Sequence, residues 1–151
     1  MTHEVANGEV IHELIQTCVD GQKGFEAAAS AVDDPNIKDE LVGYSWQRQQ
    51  FATELKSRLA AFGEESPEHG SLSGAMHRGW MDVKSALGAS SGPSILAECE
   101  RGEDIAEDVY RKAMNKGLPS EYFKVVAMQY QTIQRTHDRI KALRDASERK
   151  N

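Results

Sequence analysis

Two short links constrain this chain more than anything else in it. Asp33-Asp34-Pro35 and Lys116-Gly117-Leu118-Pro119-Ser120 each stand between long stretches in which apolar residues recur at three-four spacing. A connection that short makes a helix fold back beside its predecessor, so each link predicts an antiparallel helical hairpin. Asp34 is placed to cap the second helix, and Pro35 fits its first turn, where no amide donor is missed. Gly117 supplies the exit from the third.

The stripes set the helix lengths. The first helix is predicted over 8–32 from an N-cap at Asn7, on Ile11, Leu14, Ile15, Cys18, Phe25, Ala28 and Val32. Gly21 and Gly24 fall inside it, each costing about 1 kcal/mol against alanine, which implies a closely packed neighbour or a kink. The second spans 35–62 on Ile37, Leu41, Tyr44, Phe51, Leu55, Leu59 and Phe62. The third spans 94–115 on Ile95, Cys99, Gly102, Ala106, Val109 and Ala113, and the fourth 119–148 on Phe123, Val126, Tyr130, Ile133, Ile140 and Leu143.

Between the hairpins, residues 63–93 are punctuated by glycines and carry a short helical pattern from Leu72 to Leu87 through Met76, Trp80 and Val83. A helix of the second one's length spans roughly 40 Å, and this segment is long enough to cross it. The third helix is therefore expected to run parallel to the second. The predicted fold is all-α, one domain over 1–151: a four-helix bundle of ferritin-like topology whose long crossover carries a short extra helix. A chain that is 39% hydrophobic and 28% charged has ordinary composition for such a core.

Each long stripe carries one polar residue near mid-length: Gln22, Arg48, Glu103 and His137. In a bundle these are expected in one central slab, because a carboxylate on an apolar stripe is costly to bury without a partner. One reading is an interior network of Arg48 with Glu103, tied by His137 and Gln22. The other is a metal site, since di-iron bundles take Glu from two helices and Glu-x-x-His from the other two. The chain falls short of that set. Glu103 matches the lone third-helix Glu, and Gln134-x-x-His137 has an amide where a bridging carboxylate belongs. Gln22 replaces the first-helix Glu, and the second helix offers Arg48 or Glu54. The expectation is no cofactor; the alternative is iron or zinc at low occupancy on Glu103 and His137, with Gln22 or Glu54.

Several segments taken together, Asp20-Gly21-x-x-Gly24-Phe25, Gln47-Arg48-x-x-Phe51-Ala52-x-Glu54-Leu55, His77-Arg78-Gly79-Trp80-Met81, Glu98-Cys99-Glu100-Arg101-Gly102-Glu103-Asp104 and His137-Asp138-Arg139-Ile140, resemble an uncharacterised bacterial family of short ferritin-like four-helix-bundle proteins. The resemblance covers nearly the whole chain. It implies the bundle fold and a degenerate di-iron site, and no established activity.

Other features bound the function. Formal net charge is −6 with basic residues interspersed among acids, which argues against a nucleic-acid backbone as partner. No apolar run is long enough for a bilayer, and Met1-Thr2-His3-Glu4 lacks the order of a secretion signal, so a cytoplasmic protein is expected. Cys18 and Cys99 are too few for a zinc ribbon or disulfide framework and read as buried thiols. His77, Arg78 and Trp80 read as docking the crossover, with a partner surface as the functional alternative. No Ser-His-Asp spacing, phosphate loop or dinucleotide fingerprint is present. The expected role is a non-catalytic structural or interaction protein, stress-related, self-associating or bound to a protein partner. A divergent metal-binding or redox protein is its rival.

Overall fold

The caps form as the side chains dictate. In the computed structural model, which describes residues 2–61 and 92–150, the Asp34 carboxylate accepts from the amides of Asn36 at 2.8 Å and Ile37 at 3.3 Å. Pro35 opens the helix behind it. The other hairpin turns on Gly117, whose φ of 73° is left-handed backbone that a side chain would strain. The helices are α1 (Thr2–Ala31), α2 (Pro35–Ala61), α3 (Gly92–Met114) and α4 (Ser120–Lys150). Among the described residues there is no strand. α1 runs on through Asn7 to Thr2, since Glu4, Val5 and Ala6 hold no helix breaker and a cap preference does not itself end a helix.

Within the bundle α1 packs on α2 and on α3, and α4 packs on α3 and more lightly on α2. That leaves α2 facing α3 across one diagonal. Helix directions follow from contacts at the two ends. Tyr122, at the start of α4, donates to the carbonyl of Arg58 near the end of α2 at 3.1 Å. At the other end Arg139 of α4 pairs with Glu40 of α2 at 2.7 Å, so these helices are antiparallel. Val32, Ile37, Gly92, Leu96 and Leu143 line one cavity at that same end. α2 and α3 thus start together and run parallel, and the chain leaves α2 at one end to re-enter α3 at the other. The crossover helix expected over 72–87, with His77, Arg78 and Trp80, lies outside the described residues.

The core is aliphatic with few aromatic rings. Ile11, Leu14 and Phe25 meet Leu41, Leu55, Leu59, Ile95, Leu96, Val126, Ile133 and Ile140, all buried. Burying such side chains stabilises the fold by ~1.5 to 3 kcal/mol each, and the polar groups described next are bearable only against that background. On α4 the inner face differs from the expected one: Tyr122, Val125 and Gln129 are buried while Phe123 is exposed. The phase is set by Tyr122, whose ring is buried while its hydroxyl reaches the Arg58 carbonyl. No helix among the described residues is long and apolar enough to cross a membrane.

Candidate functional site

At the middle of the bundle a single ion pair spans the diagonal. Arg48 on α2 and Glu103 on α3 are 1% and 0% exposed, and the guanidinium donates through Nη1 and Nη2 to the two carboxylate oxygens, both at 2.5 Å. This fork-to-fork geometry is the strongest that side chains offer. α1 makes room for it. A Cβ built on Gly21 would lie 3.5 Å from Arg48 Cγ and Nη1, so the arginine stem crosses α1 against bare backbone. The rings of Phe25 and Phe51 flank the guanidinium, 5.3 and 5.9 Å from their centroids, and add cation–π attraction to the dry site. Arg48 Nε donates to Gln47 Oε1 at 3.2 Å, an atom that also lies 3.5 Å from the Thr136 hydroxyl oxygen. Burial works against the charge on Arg48, but the Glu103 carboxylate outweighs it and raises the guanidinium above its ordinary pKa.

One layer away a second polar chain joins all four helices. Tyr110 donates to Gln129 Oε1 at 2.7 Å, and Gln129 Nε2 donates to the carbonyl of Phe51 at 3.4 Å. The Tyr110 oxygen also lies 3.0 Å from Cys18 Sγ. A phenol has one proton, and here it goes to Gln129, so Cys18 must be the donor of that contact and is held as the thiol. Burial pushes Cys18 up to about 11 and Tyr110 well above its usual value. Neither group is primed to react at neutral pH.

Of the four residues expected in the slab, the structure brings together only Arg48 and Glu103. Gln22 points into a surface groove between α1 and α2, with Ser45 donating to its backbone carbonyl at 3.0 Å. The inward position on α1 belongs to Gly21, one residue earlier. His137 sits at the α3–α4 seam, its Nε2 2.7 Å from Asp104 and 3.9 Å from Glu100, its Nδ1 3.2 Å from Asp138. Thr136 takes the inward place because its hydroxyl is satisfied within α4 by the Thr132 carbonyl at 3.0 Å. Burial lowers the His137 pKa, but hydrogen bonding to Asp138 and the charges of Asp104, Glu107 and Glu100 raise it above the ordinary imidazole value. Glu54 is exposed on α2, and Gln134 is exposed and donates to Tyr130 at 3.1 Å.

These placements bear on whether the donors fit a di-iron centre. They do not. Both Glu103 oxygens already receive protons from a guanidinium, whose charge repels a dication, and His137, Gln22, Glu54 and Gln134 do not converge on them. Among the described residues no group of three or more His, Cys, Asp or Glu side chains is arranged to hold a metal. Sequence reasoning missed Tyr110, Gln129 and Thr136 in the interior, and Trp46 on the surface. Trp46 had a signal: it lies off the apolar stripe of α2, where a large aromatic is out of place.

The fold and its centre define a class: an all-α four-helix bundle whose middle is closed by a cross-diagonal arginine–glutamate pair. The chain belongs to the family described as Domain of unknown function (DUF2383), whose model matches residues 7–116. That range holds both members of the ion pair, Cys18 and Tyr110. Among solved structures it is similar to a hypothetical protein from Pyrococcus furiosus, with a TM-score of 0.71 and 11% identity over 95% of this chain and 90% of that one. At that identity the likeness shows the fold alone. No curated protein matches the chain.

Proposed function

We propose that this is a non-catalytic interaction or structural protein of the cytoplasm, with a ferritin-like helical frame whose centre is held by an ion pair in place of a metal. The observation that carries this reading is the occupancy of Glu103: Arg48 takes both of its oxygens, and His137 is engaged by Asp104 and Asp138. The buried hydroxyl and thiol of the second layer are likewise committed to each other and to Gln129, so neither stands ready as a nucleophile or base. What remains available is surface, and there the indole of Trp46 stands 62% exposed on α2. A stress-related role is the finer part of the reading, and it predicts reduced survival of a deletion strain under heat or oxidant.

Metal loading tests the main claim. Purified protein offered Fe(II) or Zn(II), then desalted, should retain far less than one ion per chain and develop no ferric absorbance in air. Retention of one ion per chain, lost in both Glu103→Ala and His137→Ala, overturns the reading in favour of a metal or redox protein.

A further inference from the structure

The outer face of α2 is unlike the outer faces of its neighbours. Between Asp39 and Glu54 the exposed residues of that helix are Val42, Gly43, Trp46, Gln49, Gln50 and Thr53, none of them charged, in a chain that is 28% charged. The corresponding faces of α3 and α4 show Asp104, Arg111, Lys112, Lys124, Arg135 and Lys141. A solvated helix face normally carries such charges, because they hold it in water and keep copies of the protein apart. Gly43 sharpens the contrast. A glycine in a helix interior costs stability, and a Cβ placed there would meet nothing within 4 Å, so no packing among the described residues calls for it. A bare backbone position beside an exposed indole fits a second backbone coming close from outside.

Next to that indole lies a hole. On the α1 side of Trp46 a groove of about 340 Å³ runs between Gln22, Glu26 and Ala29 of α1 and Val42 and Ser45 of α2. A protrusion and a recess side by side on one face are what a two-fold interface needs, since each copy then offers its indole to the other's groove. Charge selects the direction. Asp39 is exposed at the amino end of α2, and Lys56 and Arg58, which outnumber the one acid Glu54, are exposed at the carboxyl end. Antiparallel pairing sets acid against base at both ends, and parallel pairing sets like against like. Two helices side by side, about 40 Å long, present on the order of 800 Å² per partner, the size of a standard stable interface.

We infer that the α1–α2 face is a self-association site: two copies of this chain pair with their α2 helices antiparallel, the Trp46 indole of each seated in the α1–α2 groove of the other. The assignment rests on the reading of the protein as an interaction protein, and the two fail separately. A monomer that takes up no metal overturns the pairing alone, whereas a dimer that loads stoichiometric metal overturns the metal-free reading and leaves the pairing standing.

Sedimentation velocity of the full chain from roughly 1 to 100 µM provides the test. The wild type is expected as a dimer over the upper part of that range. Trp46→Glu and, separately, Val42→Lys should each weaken dimerisation at least tenfold with helical circular dichroism unchanged, since both positions are exposed. Gly43→Leu should weaken it as well, by placing a side chain where the partner's backbone approaches. Met128→Glu, at a 70% exposed site on α4, should leave the dimer intact. A wild type that stays monomeric throughout, or a Trp46→Glu dimer with the wild-type midpoint, overturns the proposal.

Discussion

Removing both members of the buried ion pair should cost less than the two single removals added together. In Arg48→Ala the Glu103 carboxylate, 0% exposed, loses both of its guanidinium donors and borders the space the arginine leaves against Phe25, Phe51 and the backbone of α1. In Glu103→Ala a guanidinium is left in the same dry space with, among the described residues, the Gln47 amide oxygen to receive it. Each single change should destabilise by ~3 to 5 kcal/mol, the usual cost of orphaning one charge of a buried pair. The double mutant removes both charges, so its loss should fall short of the sum by ~2 to 3 kcal/mol, the upper range for residues in direct contact. Urea unfolding followed by circular dichroism measures all four corners of the cycle, with equal slopes confirming that the transitions are comparable. An Arg48→Met, Glu103→Leu pair should recover most of the wild-type stability, because apolar side chains of similar volume avoid the desolvation cost altogether. Additive losses would refute the reasoning, since two groups that exchange two hydrogen bonds across the diagonal must be coupled.

Three further predictions concern the groups around that centre. His137 has a folded pKa raised by Asp138, Asp104, Glu107 and Glu100, so the stability it contributes is fully present below its unfolded pKa and is lost as pH rises through the folded one. Denaturant midpoints measured from about pH 5.5 to 8.5 should therefore fall over that window in the wild type and fall less in His137→Gln. Gly21→Ala should change stability by no more than about 1 kcal/mol, as its methyl would only touch Arg48 while improving helix propensity, whereas Gly21→Val should destabilise by ~1 to 3 kcal/mol through overpacking against the arginine stem; equal behaviour of the two in urea would refute the close approach. Cys18 and Cys99 are free and buried, and burial raises both thiols, Cys18 to about 11, so a thiol reagent at neutral pH should label neither before unfolding and both after it.

The hairpins and the pairing of Arg48 with Glu103 could be read from residue order because each rests on a local rule. Asp34, Pro35 and Gly117 act on their own turn of backbone, and a carboxylate and a guanidinium on facing stripes have few other ways to be buried. The rest depends on helix phase. One position along a helix turns a side chain by about 100°, and three-four spacing leaves that choice open between Gly21 and Gln22 on α1 and between Thr136 and His137 on α4. Space and hydrogen bonding decide it. Gly21 faces inward under the stem of Arg48, where a methyl would just touch and a larger side chain such as the one at Gln22 would not fit, and Thr136 because a hydroxyl can bond to its own helix while an imidazole requires a partner, which His137 finds among the acids of α3. The link from Cys18 through Tyr110 and Gln129 to Phe51 draws on residues 92, 19 and 78 positions apart in sequence, a meeting that no single stripe encodes.

Anomalous scattering addresses the central claim most directly. Crystals grown or soaked with Zn(II) or Mn(II), with data collected on either side of the metal absorption edge, show any ordered ion as an isolated peak. The Arg48–Glu103 account predicts no anomalous peak in the bundle centre and continuous two-pronged density between guanidinium and carboxylate. An ion at ~2.0 to 2.2 Å from a Glu103 oxygen, with Arg48 turned away, would contradict it.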